Sequence, residues 1–281
     1  MFRQLTILGP GLLGGSVGMA VRHRKLAERV VVWARRPEAA DQAVALGAAD
    51  VAAVDVRRAV AEADALVFAT PIGVMRTLAE SLRGVVRPGC FVTDVGSVKY
   101  DVVARLGAVF PRFVGAHPMA GSEQAGIEAA RRDLFENAVC LLTPVATTEP
   151  AALQQAHDFW KGLGGVVRTL SPQMHDEIVA RVSHLPHAVA AAVVNVVCRE
   201  DGRALEFAGG GFRDFSRIAS GPAEMWTEIC LENRQELGRT LDALLEELTR
   251  LRAALENADG VELKAMLKRA KHYRDEWRFR R

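Results

Sequence analysis

Gly9-Pro10-Gly11-Leu12-Leu13-Gly14 stands directly behind the apolar run Leu5-Thr6-Ile7-Leu8, and no other stretch restricts the fold as strongly. A strand that feeds a glycine-spaced turn into a helix builds a cradle for a diphosphate. The first glycine permits the tight turn, the second lets the backbone approach the phosphates, and the third lets the helix pack on the strand, with the helix N-terminus facing the anion. Bare glycine spacing also occurs in ordinary glycine-rich turns. Its position here, after a strand pattern and before the amphipathic stretch Ser16 to Lys25, points to a dinucleotide held by Gly9, Gly11, Leu12, Leu13 and Gly14.

About twenty residues further on, such a fold presents the side chain that meets the adenosine ribose, usually Asp or Glu where the cofactor is NAD. Here the second strand, Val30-Val31-Val32-Trp33, runs into Ala34-Arg35-Arg36-Pro37 with no acid at its tip. A carboxylate repels a 2′-phosphate, whereas a guanidinium fork binds one bidentately and stacks on adenine. Ala34, Arg35 and Arg36 therefore favour NADP, with NAD the alternative if the two arginines only form a solvated loop.

The chain of 281 residues suits two domains or one large one, and 49% hydrophobic with 25% charged residues is a globular composition. A formal charge of +2, with no basic tract interleaved with aromatics, argues against a nucleic-acid surface. The basic end, Lys268, Arg269, Lys271, Arg274, Arg278, Arg280 and Arg281, reads as a solvated helix face and tail. Cys90, Cys140, Cys198 and Cys230 have no metal or redox spacing and read as buried free thiols of a reducing cytosol. No N-terminal export signal precedes the first strand, and the longest apolar stretch, Ala188 to Val194, falls short of the roughly 20 residues of a membrane helix. A cytoplasmic protein with no membrane partner is expected.

Residues 1–171 alternate short β-branched runs with helical ones, the pattern of a Rossmann-type, doubly wound, mostly parallel α/β sheet. Further strands are expected at Ala65 to Thr70, Cys90 to Asp94, Arg112 to Ala116, Ala138 to Thr143 and Val166 to Leu170. Loops at their carboxyl ends gather ligands, which brings in Thr70, Pro71 and Ser97. Ser171-Pro172 reads as N-cap then first helical residue, and residues 172–281 carry only helical signals. There Leu237, Leu241, Leu244, Leu248, Leu251 and Leu255 recur at alternating steps of four and three. Intrachain core is one way to cover that stripe; a second subunit is the other, favoured because so short a helical half offers limited core of its own.

Three polar clusters, and further on a glycine stretch with two arginines, carry candidate chemistry. Asp94-Val95-Gly96-Ser97-Val98-Lys99 and Gly115-Ala116-His117-Pro118-Met119-Ala120-Gly121-Ser122-Glu123 close successive strands, where His117 in a small-residue loop suits proton exchange with a hydroxyl. A lone loop histidine is more often structural or simply exposed. In Ser183-His184-Leu185-Pro186-His187, helical spacing puts His184 with His187, and Ser183 with His187, on one face. A zinc site lacks a third ligand there, so substrate contact or satisfied core polarity ranks ahead of a metal. Gly209-Gly210-Gly211 joins a glycine loop to Arg213 and Arg217; Arg213 beside Asp214 equally suits a structural ion pair, so Arg217 is the better carboxylate ligand.

Taken in order, the Gly9 to Ser16 stretch, the Asp94 to Lys99 and Gly115 to Ser122 clusters, Ser183 to His187, Gly210 to Ala219 and Met225-Trp226 resemble the prephenate and arogenate dehydrogenases of tyrosine biosynthesis. The likeness covers nearly the whole chain. It implies a nucleotide-binding domain, an all-helical dimerisation domain, and oxidative decarboxylation of a cyclohexadienol. By the same likeness His117 accepts the hydroxyl proton, Ser97 bonds that oxygen or the imidazole, Arg217 grips the side-chain carboxylate, and Ser183, His184 and His187 line the pocket. A cation against the departing ring carboxylate would stabilise the ground state and oppose decarboxylation, which keeps Arg217 on the carboxylate that stays.

Many relatives end the second strand in Asp, unlike Ala34-Arg35, in keeping with NADP. The residues after Ser171 leave no room for an appended regulatory domain, so feedback by tyrosine is expected at the active site itself. Two other readings remain: a two-domain dehydrogenase of the 3-hydroxyacid type, which relies on a helical-domain lysine not found between Lys161 and Lys264, and a nucleotide-sensing protein without turnover.

Overall fold

A computed structural model of the chain describes residues 1–122, 124–199 and 202–278. Its first half runs β1 (Phe2–Leu8), α1 (Leu12–His23), β2 (Ala27–Trp33), α2 (Pro37–Ala45), β3 (Val51–Ala53), α3 (Val56–Ala61), β4 (Ala65–Phe68) and α4 (Ile72–Ser81). There follow β5 (Phe91–Asp94), α5 (Tyr100–Val109), β6 (Phe113–Pro118), β7 (Val139–Thr143), α6 (Pro150–Gly162) and β8 (Val166–Thr169). Thereafter the described elements are helical: α7 (Pro172–Val179), a π-turn (Ala180–His184), α8 (Leu185–Cys198), α9 (Gly210–Ser216), α10 (Ala223–Glu232), α11 (Arg234–Glu256) and α12 (Gly260–Arg278), with short 3-10 turns between some of them.

The strands form one sheet in the order β3-β2-β1-β4-β5-β6-β7-β8, parallel throughout except where β7 runs antiparallel to β6. This is the doubly wound, mostly parallel arrangement that the alternating pattern predicts. Both faces are covered, which explains why the strands are apolar on both sides. Along β1, Leu5 and Ile7 enter one core with Phe91, Phe159 and Trp160, while Leu8 enters the other with Phe68, Leu82 and Leu106. The chain leaves β1 toward β2 and β3 and returns to its other side at β4, so a crevice opens at the carboxyl ends of β1 and β4.

Several expectations change in detail. The three-residue β3 is too short to show a periodicity in the sequence. His117 is not in a loop: β6 continues through Pro118, because its last residues pair with β7, His117 opposite Leu141. Gly210 and Gly211 begin α9 instead of forming a loop. Cys90 and Cys140 are buried, but Cys198 and Cys230 are only partly so. The helix cap is as expected at Ser171, whose hydroxyl accepts from the Met174 N–H at 3.1 Å.

The described residues form two compact units, Met1–Arg234 and Gln235–Arg281. In the first, α10 is tied to the sheet half by an Arg76–Glu232 ion pair and by Glu228, whose carboxylate accepts from the N–H groups of Ile72 and Gly73. In the second, Arg250 links α11 to Glu262 of α12, and the leucine stripe leaves Leu248 and Leu255 exposed. One helical run among the described residues, Pro172–Cys198, is long and apolar enough to cross a membrane by length and composition alone, a test that core helices of soluble proteins also pass. Uninterrupted apolar stretches within it are short; it passes because α7, the π-turn and α8 join end to end. Of the basic end, Arg280 and Arg281 lie outside the described residues, as does Glu123 of the His117 cluster.

Candidate active site

The three glycines of the first turn do different work. Gly9 has φ +94°, and a side chain there would collide with the Ala69 carbonyl. Gly14 is where helix meets strand: a Cβ would lie 2.3 Å from the Gly9 oxygen and 3.1 Å from the Ile7 side chain. Gly11 alone faces open space, with nothing within 4 Å of where its Cβ would be, and it lines a cavity of about 1030 Å³. An open backbone approach at the head of α1 fits a nucleotide diphosphate. The hydroxyl of Thr70, also on the cavity wall, is buried without a hydrogen-bond partner among the described residues, a polar atom suited to such a ligand.

The same cavity is lined by Leu12, Leu13, Pro71, Ser97 and His117 from the strand ends, and by Ser183, His184, His187, Arg217 and Trp226 from the helices. Ala34, Arg35 and Arg36 lie outside it; the two arginines are exposed just beyond β2, and Arg36 precedes α2 as its N-cap residue. Arg213 does not line it either, whereas Arg217, at the start of a 3-10 turn, does.

Under the strand ends lies a buried polar network that sequence reasoning missed. Asp94 at the tip of β5 accepts from the Gly96 and Ala116 N–H groups at 2.8 and 3.0 Å, and from the fully buried Lys99 ammonium at 2.5 Å. Asp176 of α7 accepts from the Lys99 and Tyr100 N–H groups at 2.8 and 2.9 Å, capping α5. Beside it His175, completely buried, bonds Asp176 through Nδ1 at 2.7 Å and His117 through Nε2 at 2.9 Å. Asp176 reads in the sequence as an ordinary first-turn acid, and nothing in one chain's pattern marks His175 as the neighbour of a strand 58 residues away.

Burial pushes the His117 imidazole well below its ordinary pKa, and His175, Lys99 and His184 push it further the same way. It is neutral at neutral pH and able to take a proton. His184 is lowered to about 4, first by burial. Its Nδ1 accepts from the Asn233 amide at 3.1 Å, so its own hydrogen sits on Nε2, buried and without a partner among the described residues. His187 donates from Nδ1 to the Ser183 carbonyl at 2.9 Å, and burial and the Arg217 charge lower its pKa. Both rings reach Trp226, His184 edge-on and His187 stacked. The π-turn that carries His184 into α8 has a local cause: Pro186 has no N–H to continue the α-ladder, and a proline ring crowds the carbonyl four residues back. No group of three or more potential metal ligands occurs among the described residues.

Arranged chemically, the cavity offers a diphosphate turn, a neutral imidazole at a strand end, a hydroxyl, and a guanidinium on the helical side. That set suits hydride transfer from a carbinol coupled to proton transfer.

Comparison with known proteins gives a consistent result. Residues 17–169 match the family model described as prephenate dehydrogenase, nucleotide-binding domain, and residues 171–269 match prephenate dehydrogenase, dimerization domain. The chain is 35% identical to the prephenate dehydrogenase of Bacillus subtilis (strain 168) over 278 residues, covering 96% of this chain and 75% of that one. The structure of prephenate dehydrogenase from A. aeolicus in complex with hydroxyphenyl propionate and NAD+ superposes with a TM-score of 0.92 at 32% identity, covering 98% of both chains. Synechocystis arogenate dehydrogenase gives 0.83 at 30% identity, covering 98% of this chain and 99% of that one.

Proposed function

The chain belongs to the prephenate dehydrogenase family, and we propose from that premise that it oxidises and decarboxylates prephenate or arogenate in tyrosine biosynthesis. One observation carries the reading: a single cavity is lined by the diphosphate turn at Gly11, by the neutral imidazole of His117, and by Arg217 on the helical side. Residues 1–171 serve as the nucleotide-binding half and residues 172–281 as the substrate and dimerisation half.

When bound, a nicotinamide ring supplies the acceptor for the hydride leaving the ring carbon that bears the substrate hydroxyl. His117 takes the hydroxyl proton and holds that oxygen as carbonyl character develops. Ser97 orients the same oxygen or the imidazole. Arg217 holds the side-chain carboxylate, while Ser183, His184 and His187 complete the pocket; the ring carboxylate departs without a cation to retain it. Gly9, Gly11, Leu12, Leu13 and Gly14 hold the diphosphate, with Thr70 and Pro71 beside it.

The exposed Arg35 and Arg36, following Ala34 with no acid at the strand tip, support NADP, with NAD the alternative. Exposed Val182 and Val196 on the apolar run Pro172–Cys198, together with the leucines of α11, support a homodimer that covers them. Four free thiols support a reducing cytoplasm.

The 3-hydroxyacid reading fails for want of a lysine: Lys99 is spent on Asp94, and none occurs from residue 162 to 263. The test is an assay of purified protein with prephenate and arogenate against NADP and NAD. Reduction of cofactor with either substrate is expected; cofactor binding without reduction in all four mixtures would mean a nucleotide sensor instead.

A further inference from the structure

If His117 is the base, two buried titratable neighbours still have no task. Neither His175 nor Asp176 lines the cavity, yet both connect to the ring that does. An oxygen of the Asp176 carboxylate 2.7 Å from Nδ1 of His175 requires a hydrogen on that nitrogen. A neutral His175 then has a bare Nε2, so the hydrogen in its 2.9 Å contact belongs to Nδ1 of His117. The remaining nitrogen of His117, Nε2, is thereby left as a lone pair on the cavity side. Asp176 is itself immobilised by the Lys99 and Tyr100 N–H groups at the head of α5.

We propose that His175 and Asp176 are positioning residues for the oxidative decarboxylation: they fix His117 as its Nδ1–H tautomer and support its imidazolium while it holds the substrate's proton. This rests on the reading of His117 given above.

The proton balance defines when that support is needed. The hydroxyl O–H breaks and its proton goes to Nε2 of His117, as the ring carbon gives up its hydride and becomes a carbonyl. The bond to the ring carboxylate then breaks, its electron pair enters the ring, and carbon dioxide leaves. The oxygen, now a phenolate, takes the proton back from Nε2. No proton is released overall, and His117 is charged only between the two steps. In that interval burial, His175, Lys99 and His184 oppose the charge, and the Asp176 carboxylate hydrogen-bonded to His175 offsets them through that ring.

The test uses the full chain labelled with ¹⁵N in its histidines, the His117→Asn spectrum identifying the His117 resonances. His117 carries its hydrogen on Nδ1 in the parent protein. Asp176→Asn, whose carbonyl oxygen keeps the bonds that Oδ1 accepts from Lys99 and His175, leaves the hydrogen on Nδ1 of His117 but removes the negative charge that supports the imidazolium. With whichever of prephenate or arogenate the parent oxidises faster, that variant loses about 10²-fold in kcat, while KM and cofactor affinity stay within about threefold. His175→Gln, whose carbonyl accepts from Nδ1 of His117, keeps more kcat than His175→Ala. Finding the hydrogen on Nε2 in the parent overturns the proposal, as does parental kcat in Asp176→Asn. Should Asp176→Asn fail to fold, equal kcat in His175→Gln and His175→Ala overturns it. Turnover retained by His117→Asn would instead remove the base reading, and the tautomer of His117 still reports the hydrogen-bond chain by itself.

Discussion

The imidazole of His187 lies flat on the indole of Trp226, ring centroids 3.5 Å apart and planes inclined by 23°. With Nδ1 committed to the Ser183 carbonyl, the stack leaves His187 one orientation in the cavity. Trp226→Leu removes a ring contact worth about 0.5 to 1.5 kcal/mol, so KM for substrate should rise roughly threefold to tenfold with kcat changed less. Steady-state kinetics check this; an unchanged KM would mean that His187 does not touch the substrate.

Arg35→Asp exchanges a guanidinium at the tip of β2 for a carboxylate that repels a 2′-phosphate. The ratio of kcat/KM with NADP to that with NAD should fall roughly tenfold to a hundredfold. The same ratio in variant and parent would refute the NADP reading.

Lys99 and Asp94 form an ion pair with no solvent exposure. Lys99→Met leaves the carboxylate buried without its cation, and breaking such a pair costs about 3 to 5 kcal/mol. Two backbone donors still reach Asp94, so the low end is expected. Urea denaturation measures the loss, and the double variant Asp94→Asn/Lys99→Met should recover part of it. A loss under about 1 kcal/mol in Lys99→Met would show that backbone donors suffice.

Stability should fall on mild acidification. His184 titrates near 4 when folded against 6.5 as a free side chain, so between those values the unfolded chain binds the extra proton. The neutral ring's contribution is therefore complete above pH 6.5 and lost as pH falls toward 4, about 3 kcal/mol from this residue alone. His117 and His175 are shifted in the same direction and add to the loss. Asp64, held at about 2, loses its share only below its usual 3.8, so the window above 4 belongs to the histidines. Denaturation midpoints against pH should slope less in His184→Gln; equal slopes would contradict this.

Local chemistry written in consecutive residues was legible without coordinates. The Gly9 to Gly14 turn, the alternation that makes the sheet, the Ser171-Pro172 helix start and the carboxyl-end clusters each depend on neighbours within one element, where spacing fixes direction. Gly14 tight against the Gly9 oxygen and Gly9 at positive φ follow from the turn itself.

What required the fold is contact between elements far apart in the chain. Asp176 shows no sign in its own helix that it caps α5, nor does His175 that it bonds the last residues of β6; a surface acid and a helix histidine look the same in sequence. Burial, too, is a tertiary property: Lys99 reads as a charge at a strand end and becomes fully enclosed only when Asp94 meets it beneath the sheet. Layered architecture and the kind of chemistry are thus readable along the chain, because periodicity and turns act over a few residues. Tertiary structure decided which nitrogen of His117 is bare, because that depends on a hydrogen-bond chain crossing from β6 to α7 and α5.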